Sequence, residues 1–366
     1  MIKVSVIIPV YNTGEYLAEC LECMINQTLT DIEIICVNDG STDDSEKIIE
    51  SYVEKYSNVF LISQKNAGQS AARNAALKVA TGKYIYCMDS DDILLATTLE
   101  ELWNVSENKQ LDVLYFSGTT FYENSELEQK RTDLQDHYIR NGKYKEVTTG
   151  KDLLIELYKY NDYIVSPCLQ FLRRDFLVEN KIDFYEGIIH EDNLFGFQVL
   201  INAQRAFCVN DIYFYRRVRE DSVMTRKENC ANLRGYYVCL MNQIKLAANE
   251  EFSKDQKEAI LRLLRGLLYH VKRLYNSIAP DEKTKFLDGC DALERCMFEV
   301  IFVTDIEEVN SWKRKYNAEI KNGQKSYSRS FRFKITSIPR KLRTCICIYR
   351  EKGLEGVLQV IKDKIK

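Results

Sequence analysis

The chain places three carboxylates in four residues at "DSDD", with Asp89, Asp91 and Asp92 directly after the apolar run "YIYCM" (84–88). Like charges that close repel one another and resist leaving water. Two readings compete from the residues alone. Asp91 or Asp92 caps a helix over 93–99, or the cluster holds a hard divalent cation, which prefers oxygen ligands and cancels the repulsion. An EF-hand loop is excluded: counted from Asp89, the fifth residue is Ile93 and the sixth is Leu94, where glycine is required. A cation held by few protein oxygens at a sheet edge keeps positions open for substrate phosphates. Gly82-Lys83 runs into Tyr84 without Walker A spacing, and no G-x-G-x-x-G occurs. P-loop and dinucleotide-dehydrogenase chemistry are therefore not expected, and a nucleoside diphosphate held through a metal remains. A second acidic pair, Glu191 and Asp192 of "HED", precedes Leu194 and would cap a helix there on the plainest reading.

The elements that must position these residues follow from periodicity. Strands are expected at Lys3–Pro9, Ile32–Val37, Val59–Ile62 and Lys83–Met88. Between them lie helices at Glu15–Gln27, from N-cap candidates Ser41–Asp43 to Tyr56, and at Gln69–Ala80. Alternation of this kind implies right-handed βαβ units and a parallel sheet, with ligands beyond the carboxyl ends of its strands. "PVYN", "NDGSTDD", "KNAGQSAARNAAL" and "DSDD" all fall at that rim. Further on, Asp112–Ser117 reads as a strand, 119–150 as polar loops and Lys151–Tyr160 as a helix. A helix starts near Glu191, and Ile212–Arg217 is strand-like. From Glu228 the chain reads as helix, notably Lys257–Ser277 and Asp281–Val300.

"PVYN", "VNDGSTDDS", "NAGQSAARNAAL" and "DSDD", in this order and spacing, resemble family 2 glycosyltransferases. The likeness is dense over 3–118 and resumes at "IIHEDNLF" (188–195) and "YFYRRVREDSV" (213–223). It implies an α/β fold of the GT-A type, the Rossmann-like nucleotide-diphospho-sugar transferase fold, with a C-terminal helical extension. A donor-binding half would occupy 1–118, an acceptor half carrying the base 119–227, and a mostly helical region 228–366.

The resemblance also implies roles. Pro9 and Tyr11 would line the nucleotide-base pocket, unless Tyr11 is a surface-turn tyrosine. Asp39 would accept from uracil N3–H, or else forms an Asx-turn before Gly40. Arg73 would contact the nucleotide or its phosphates, Asp89 the ribose, and Asp91 a divalent cation (Mn2+ or Mg2+) bridging the diphosphate. Asp92 would support that site from behind or cap a helix. Asp192 would be the general base that deprotonates an acceptor hydroxyl, Glu191 would orient the acceptor or the base, and His190 would be structural. Arg216, Arg219 and Ser222 would clamp the diphosphate; solvated charge is the alternative for the arginines, Arg73 included. One departure stands out: where many relatives have Trp-Asn-Lys, this chain has Cys168, Leu169 and Gln170.

Composition is that of a soluble globular protein. Of 366 residues 45% are hydrophobic and 29% charged, with 4 Pro and 15 Gly. The N-terminus leaves no room for a leader and no apolar run reaches about 18 residues. The expected setting is cytoplasmic, with the 12 cysteines reduced. Cys20-x-x-Cys23 sits on an expected helix with no second pair nearby. Residues 321–366 hold 13 Lys or Arg against 3 Asp or Glu, a surplus of ten, so the rest of a chain of net −3 carries about −13. A basic tail on an acidic body suits an anionic partner. Either the tail meets the inner face of the cell membrane, near glycan or lipid-linked saccharide acceptors, or it forms a solvated helix packed on the acidic body; nucleic acid is not expected. Two other functions compete with this one. A sugar nucleotidyltransferase would need a Gly-rich loop with Arg and Lys after the first strand, whereas "PVYNTGEYL" has one Gly and no Arg. A non-catalytic sugar-nucleotide sensor would not need both Asp91 and Asp192.

Overall fold

A computed structural model of the chain describes residues 1–220 and 228–291 together with Glu294, Arg295 and Phe298. Ser222 and the basic tail at 321–366 lie outside the described residues.

The first unit comprises Met1–Glu228 and Phe252–Arg262. It opens with β1 (Val4–Val10), α1 (Gly14–Ile25), β2 (Ile32–Asn38), α2 (Ser45–Lys55), β3 (Val59–Ser63), α3 (Gln69–Val79) and β4 (Tyr84–Cys87). It continues through β5 (Ile93–Leu94), α4 (Thr98–Lys109), β6 (Val113–Tyr122), α5 (Ser125–Lys130), α6 (Gly150–Tyr160), β7 (Gln170–Arg173), α7 (Arg174–Glu179), α8 (Asp192–Asn202) and β8 (Ala206–Val218). The eight strands form one sheet in the order β3-β2-β1-β4-β7-β6-β8-β5. The β3-β2-β1-β4 portion is parallel, as the alternation implied. The expectation of a parallel sheet fails beyond it. Here β7 wedges antiparallel between β4 and β6, β6 and β8 run parallel, and β5 closes the edge antiparallel to β8.

In the parallel half the inner strands are buried on both faces and read as near-continuous apolar runs, while the edge strand β3 is partly exposed. Every residue of β2 is buried, and β1 is buried save Pro9. α3 lies against β1 and β2 through the fully buried Ala72 and Ala76, small side chains that let helix and sheet approach closely. The turn into β4 is tight for a steric reason: a Cβ on Gly82 would fall 2.4 Å from the Ser5 amide nitrogen. Ser5 Oγ donates to the buried Glu33, which also accepts from the amides of Thr81 and Gly82.

Two expectations for loops are corrected. Residues 119–150 are not all loop, because β6 runs on to Tyr122 beside β8 and α5 follows. No helix covers 93–99: Ile93–Leu94 is a strand and the next helix begins at Thr98. Neither Asp91 nor Asp92 caps a helix.

The second unit comprises Asn229–Glu251 and residues from Leu263 onward. Its elements are α9 (Cys230–Ala248) and α11 (Pro280–Asp288), and the stretch of α10 (Lys254–Ser277) from Leu263 onward also falls within it. Tyr237, Phe286 and Phe298 pack edge to face and tilted, with centroids 4.8–5.6 Å apart. Among the described residues, no helix is long and apolar enough to cross a membrane.

Candidate active site

The parallel registers bring the ends of β1, β2 and β4 to one rim. Val10 lies opposite Asn38, and Cys87 opposite Ile7, so 88–92 continue along the same edge. The turn after β1 and the turn after β2 are laced into a single platform. Asn12, with a left-handed φ of 51°, donates its N–H to Ser41 Oγ (3.1 Å), and its Oδ1 accepts from the Thr42 N–H (2.7 Å). The Thr13 N–H donates to Ser45 Oγ (3.1 Å) and the Gly14 N–H to Asp43 Oδ2 (2.9 Å). Tyr11, in the turn after β1, is 51% exposed, and Pro9 is half-buried.

Asp39 is nearly fully buried. Its Oδ1 accepts from Gln64 Nε2 and the Ala67 N–H, its Oδ2 from the Gly68 N–H, each at 2.8 Å. The carboxylate thus clasps the loop that leads into α3. The Asx-type bond in this turn belongs to its neighbour: Asn38 Oδ1 accepts from the Ser41 N–H at 3.0 Å. Gly40 has a φ of 72°, and a Cβ there would meet the Asn66 nitrogen at 2.8 Å.

The first two turns of α3 carry the centre of the site. Arg73 is buried with its guanidinium over the Phe184 ring (5.1 Å). Its NH1 donates to Glu191 Oε1 (2.8 Å) and its NH2 to Asp89 Oδ1 (2.7 Å). Gln69 Nε2 donates to the same Glu191 oxygen at 2.7 Å. Asn74 pairs with the Phe184 backbone in both directions, at 2.8 and 2.9 Å. Burial opposes the Arg73 charge, but Asp89 and Glu191 outweigh it and push the group further toward its charged form. One guanidinium therefore ties the end of β4 to the segment entering α8.

That segment holds His190 at a φ of 67°, then Glu191, which is 1% exposed. Glu191 makes no side-chain cap bond to α8. Asp192 begins α8, half-buried; its Oδ1 accepts from the Asn193 N–H (2.9 Å) and Asn193 Nδ2 (3.0 Å). Burial and then the Glu191 charge push the Asp192 carboxyl up to about 7, against the pull of Arg73 and Asn193.

The acidic cluster itself divides three ways. Asp89 keeps a 41% exposed side chain and pairs with Arg73. Asp91 Oδ2 accepts from Arg219 Nε at 2.7 Å. Asp92 turns inward, buried, and accepts from the Arg217 N–H at 2.8 Å. Burial first, then the charges of Asp91 and Asp89, hold its carboxyl well above the usual range. Asp92 is thus the member that anchors the cluster to β8. Arg217 donates through Nε to the Asp91 carbonyl (2.9 Å) and pairs with Glu19. Arg216 lies over the Tyr138 ring at 5.2 Å. Among the described residues no three His, Cys, Asp or Glu side chains converge as a ready-made metal cage. Asp91 does offer a hard oxygen donor at the rim, which suits Mg2+ or Mn2+ when phosphates supply further ligands.

Sequence reasoning missed Gln69, Asn12 and Arg217. Only Arg217 left a usable trace: in a strand it shares its side with Arg219, two residues on.

The parallel portion of the sheet, its mixed continuation and the acidic rim define a fold of the GT-A type. Comparison with known proteins agrees. The profile described as glycosyl transferase family 2 matches residues 5–179. The chain is 38% identical over 215 residues to the uncharacterized glycosyltransferase YibD of Escherichia coli, covering 58% of this chain and 61% of YibD. It is 33% identical over 269 residues to the cholesterol galactosyltransferase of Borreliella burgdorferi, covering 72% of this chain and 71% of that one. Among solved structures, S. aureus TarS 1–349 in complex with UDP-GlcNAc superposes with a TM-score of 0.58 at 21% identity. That match covers 99% of this chain and 91% of TarS 1–349. The chain belongs to glycosyl transferase family 2 and is a glycosyltransferase by that membership.

Proposed function

We propose that the chain is an inverting, cation-assisted glycosyltransferase that moves a sugar from a UDP-sugar to a hydroxyl of a glycan or lipid-linked acceptor. The observation that carries the reading is the Arg73 bridge, which fixes a rim carboxylate, Asp89, and the base segment, Glu191–Asp192, to one side chain. Tyr11 offers a stacking face for the nucleobase and Asp39 an acceptor for a base N–H; cytosine, which presents an acceptor there, is disfavoured. Asp89 has an exposed oxygen for the ribose. Asp91 would hold the divalent cation, whose chemistry when bound is to neutralise charge developing on the leaving diphosphate. Asp192 takes the acceptor proton as the hydroxyl attacks the anomeric carbon opposite the nucleotide, which inverts its configuration. Glu191, buried and doubly bonded, orients the base. Arg216 and Arg219 receive the diphosphate, with Ser222. TarS, solved with UDP-GlcNAc, supports the uridine donor, and the Borreliella relative, named for cholesterol, supports an acceptor of lipid character.

Calorimetry with Mn2+ tests the donor side. The unmodified protein should bind UDP more tightly than CDP. Asp91→Asn should weaken Mn2+-dependent UDP binding by at least 10–100-fold, the loss seen when even a ligand's supporting partner is removed. Equal affinity for UDP and CDP would reject the Asp39 assignment, and unchanged affinity in Asp91→Asn would reject the metal role.

The Lys- and Arg-rich tail at 321–366 mixes its charges with Ile, Phe and Tyr, as membrane-surface segments do. It fits an enzyme working at an anionic bilayer. Deleting it should abolish binding to anionic vesicles at low salt; binding that survives the deletion sinks the assignment.

A further inference from the structure

Asp91 already has a cationic partner. Arg219 Nε donates to its Oδ2 at 2.7 Å, and the two side chains are 20% and 19% exposed. Arg219 also lies over the Tyr16 ring at 5.2 Å, and Tyr16 is held from its far end by its hydroxyl's bond to Glu123 Oε1 (2.7 Å). Arg217 shares that ring at 5.0 Å but touches Asp91 only through the backbone carbonyl. Among the described residues, Arg219 is the side chain that neutralises the Asp91 carboxylate.

We propose that Arg219 and the divalent cation are alternative partners of Asp91, so that cation and nucleoside diphosphate bind cooperatively. This rests on the metal and UDP roles proposed above. A cation on the Asp91 carboxylate would sit a few ångströms from the guanidinium that donates to its Oδ2 at 2.7 Å, and two positive charges that close repel, so each weakens the other's hold on Asp91. Without nucleotide, a cation reaching Asp91 must therefore weaken or displace a charge-assisted bond for which Arg219 gains no other anion. A diphosphate changes the balance, since its oxygens match the guanidinium fork. It gives Arg219 a new partner, frees Asp91 and completes the cation's ligands in one exchange. Binding linkage makes the effect reciprocal: the diphosphate tightens the cation as much as the cation tightens the diphosphate. Partial exposure of both side chains lets the exchange occur without opening the core. Asp92, buried behind them and bonded to the Arg217 amide, keeps the strand in place throughout.

The test is Mn2+ titration followed by the electron paramagnetic resonance signal of free Mn2+, with and without UDP. The unmodified protein should bind Mn2+ weakly alone and roughly 5–150-fold more tightly with UDP, the usual span of such coupling. Arg219→Gln should bind Mn2+ alone more tightly than the unmodified protein, by roughly 10-fold, and the gain in Mn2+ affinity brought by UDP should shrink by about the same factor, the remainder coming from the phosphates as ligands. Arg219→Lys, which keeps a competing charge without the fork, should fall between the two. Mn2+ affinity that is unchanged or weaker in Arg219→Gln overturns the exchange while leaving the metal role standing. If the unmodified protein retains no Mn2+ even with saturating UDP, the metal role itself fails and the exchange falls with it.

Discussion

Replacing Asp192 by Asn should lower glycosyl transfer by roughly 10²–10⁴-fold, the usual contribution of a positioned acid or base. UDP-sugar affinity and melting temperature should hardly move. The amide oxygen can still accept from the Asn193 N–H, as Asp192 Oδ1 does, so the start of α8 is kept; what is lost is a group able to take a proton. The same assignment fixes a pH profile. Burial and the neighbouring Glu191 charge raise the Asp192 carboxyl to about 7, and only the deprotonated form is a base. Transfer by the unmodified enzyme should therefore rise with pH through an inflection near 7, and the residual rate of Asp192→Asn should lack that inflection. Initial rates, donor affinity and thermal melting of one variant check all of this. Near-normal transfer by Asp192→Asn would remove the residue from the proton path. Glu191 would be a poor replacement, since both Arg73 and Gln69 bind the same one of its oxygens and the other is buried.

Arg73→Leu should destabilise the protein by roughly 3–5 kcal/mol, the cost of leaving a buried charge without its partner. Glu191 bears that cost, because it is 1% exposed, its Oε2 has no partner, and Gln69 alone would remain to compensate it. Asp89, 41% exposed, would turn to water and contribute little. Adding Glu191→Leu to Arg73→Leu should recover much of the loss, since a buried pair replaced by apolar side chains is often neutral. Urea unfolding of the single and double variants measures both effects. A single-variant loss under about 1 kcal/mol, the range of exposed pairs, would show that the bridge is not what holds the base segment.

Much of this was legible in the residues. β1 and β2 announce themselves because a parallel strand covered on both faces is apolar along nearly its whole length, with Ser5 and Glu33 satisfying each other inside. The polar turns after β1, β2 and β4 could then be assigned to one rim by topology alone. β7 could not. It is four residues, Gln170–Arg173, too short for a period, and its partners β4 and β6 are distant in sequence and both antiparallel to it. The family likeness named Arg73 and Asp89 separately, but that a buried guanidinium joins Asp89 to Glu191 depends on a packing 118 residues apart in the chain. Gln69 was hidden for a similar reason, as a glutamine in a first helical turn reads as solvated until a partner is known. Asp39 showed a subtler limit. The turn chemistry was correctly placed but belongs to Asn38, while Asp39 clasps a loop that only tertiary structure brings near.

α3 sets a fixed length within the catalytic half. The loop amides that bind Asp39 end at Gly68, and the guanidinium that binds Glu191 starts from Arg73. Arg73 is the fifth residue of the helix that starts at Gln69, about 6 Å of rise along it. A helix packed on β1 and β2 through Ala72 and Ala76 neither stretches nor shortens, so the Asp39 clasp and the Glu191 segment, the proposed nucleobase and proton-accepting ends, are held by one rigid ruler. Its span is indifferent to which sugar is carried. Substitutions that retune the choice of sugar or acceptor can accumulate in the surrounding loops without altering the distance over which the reaction is poised.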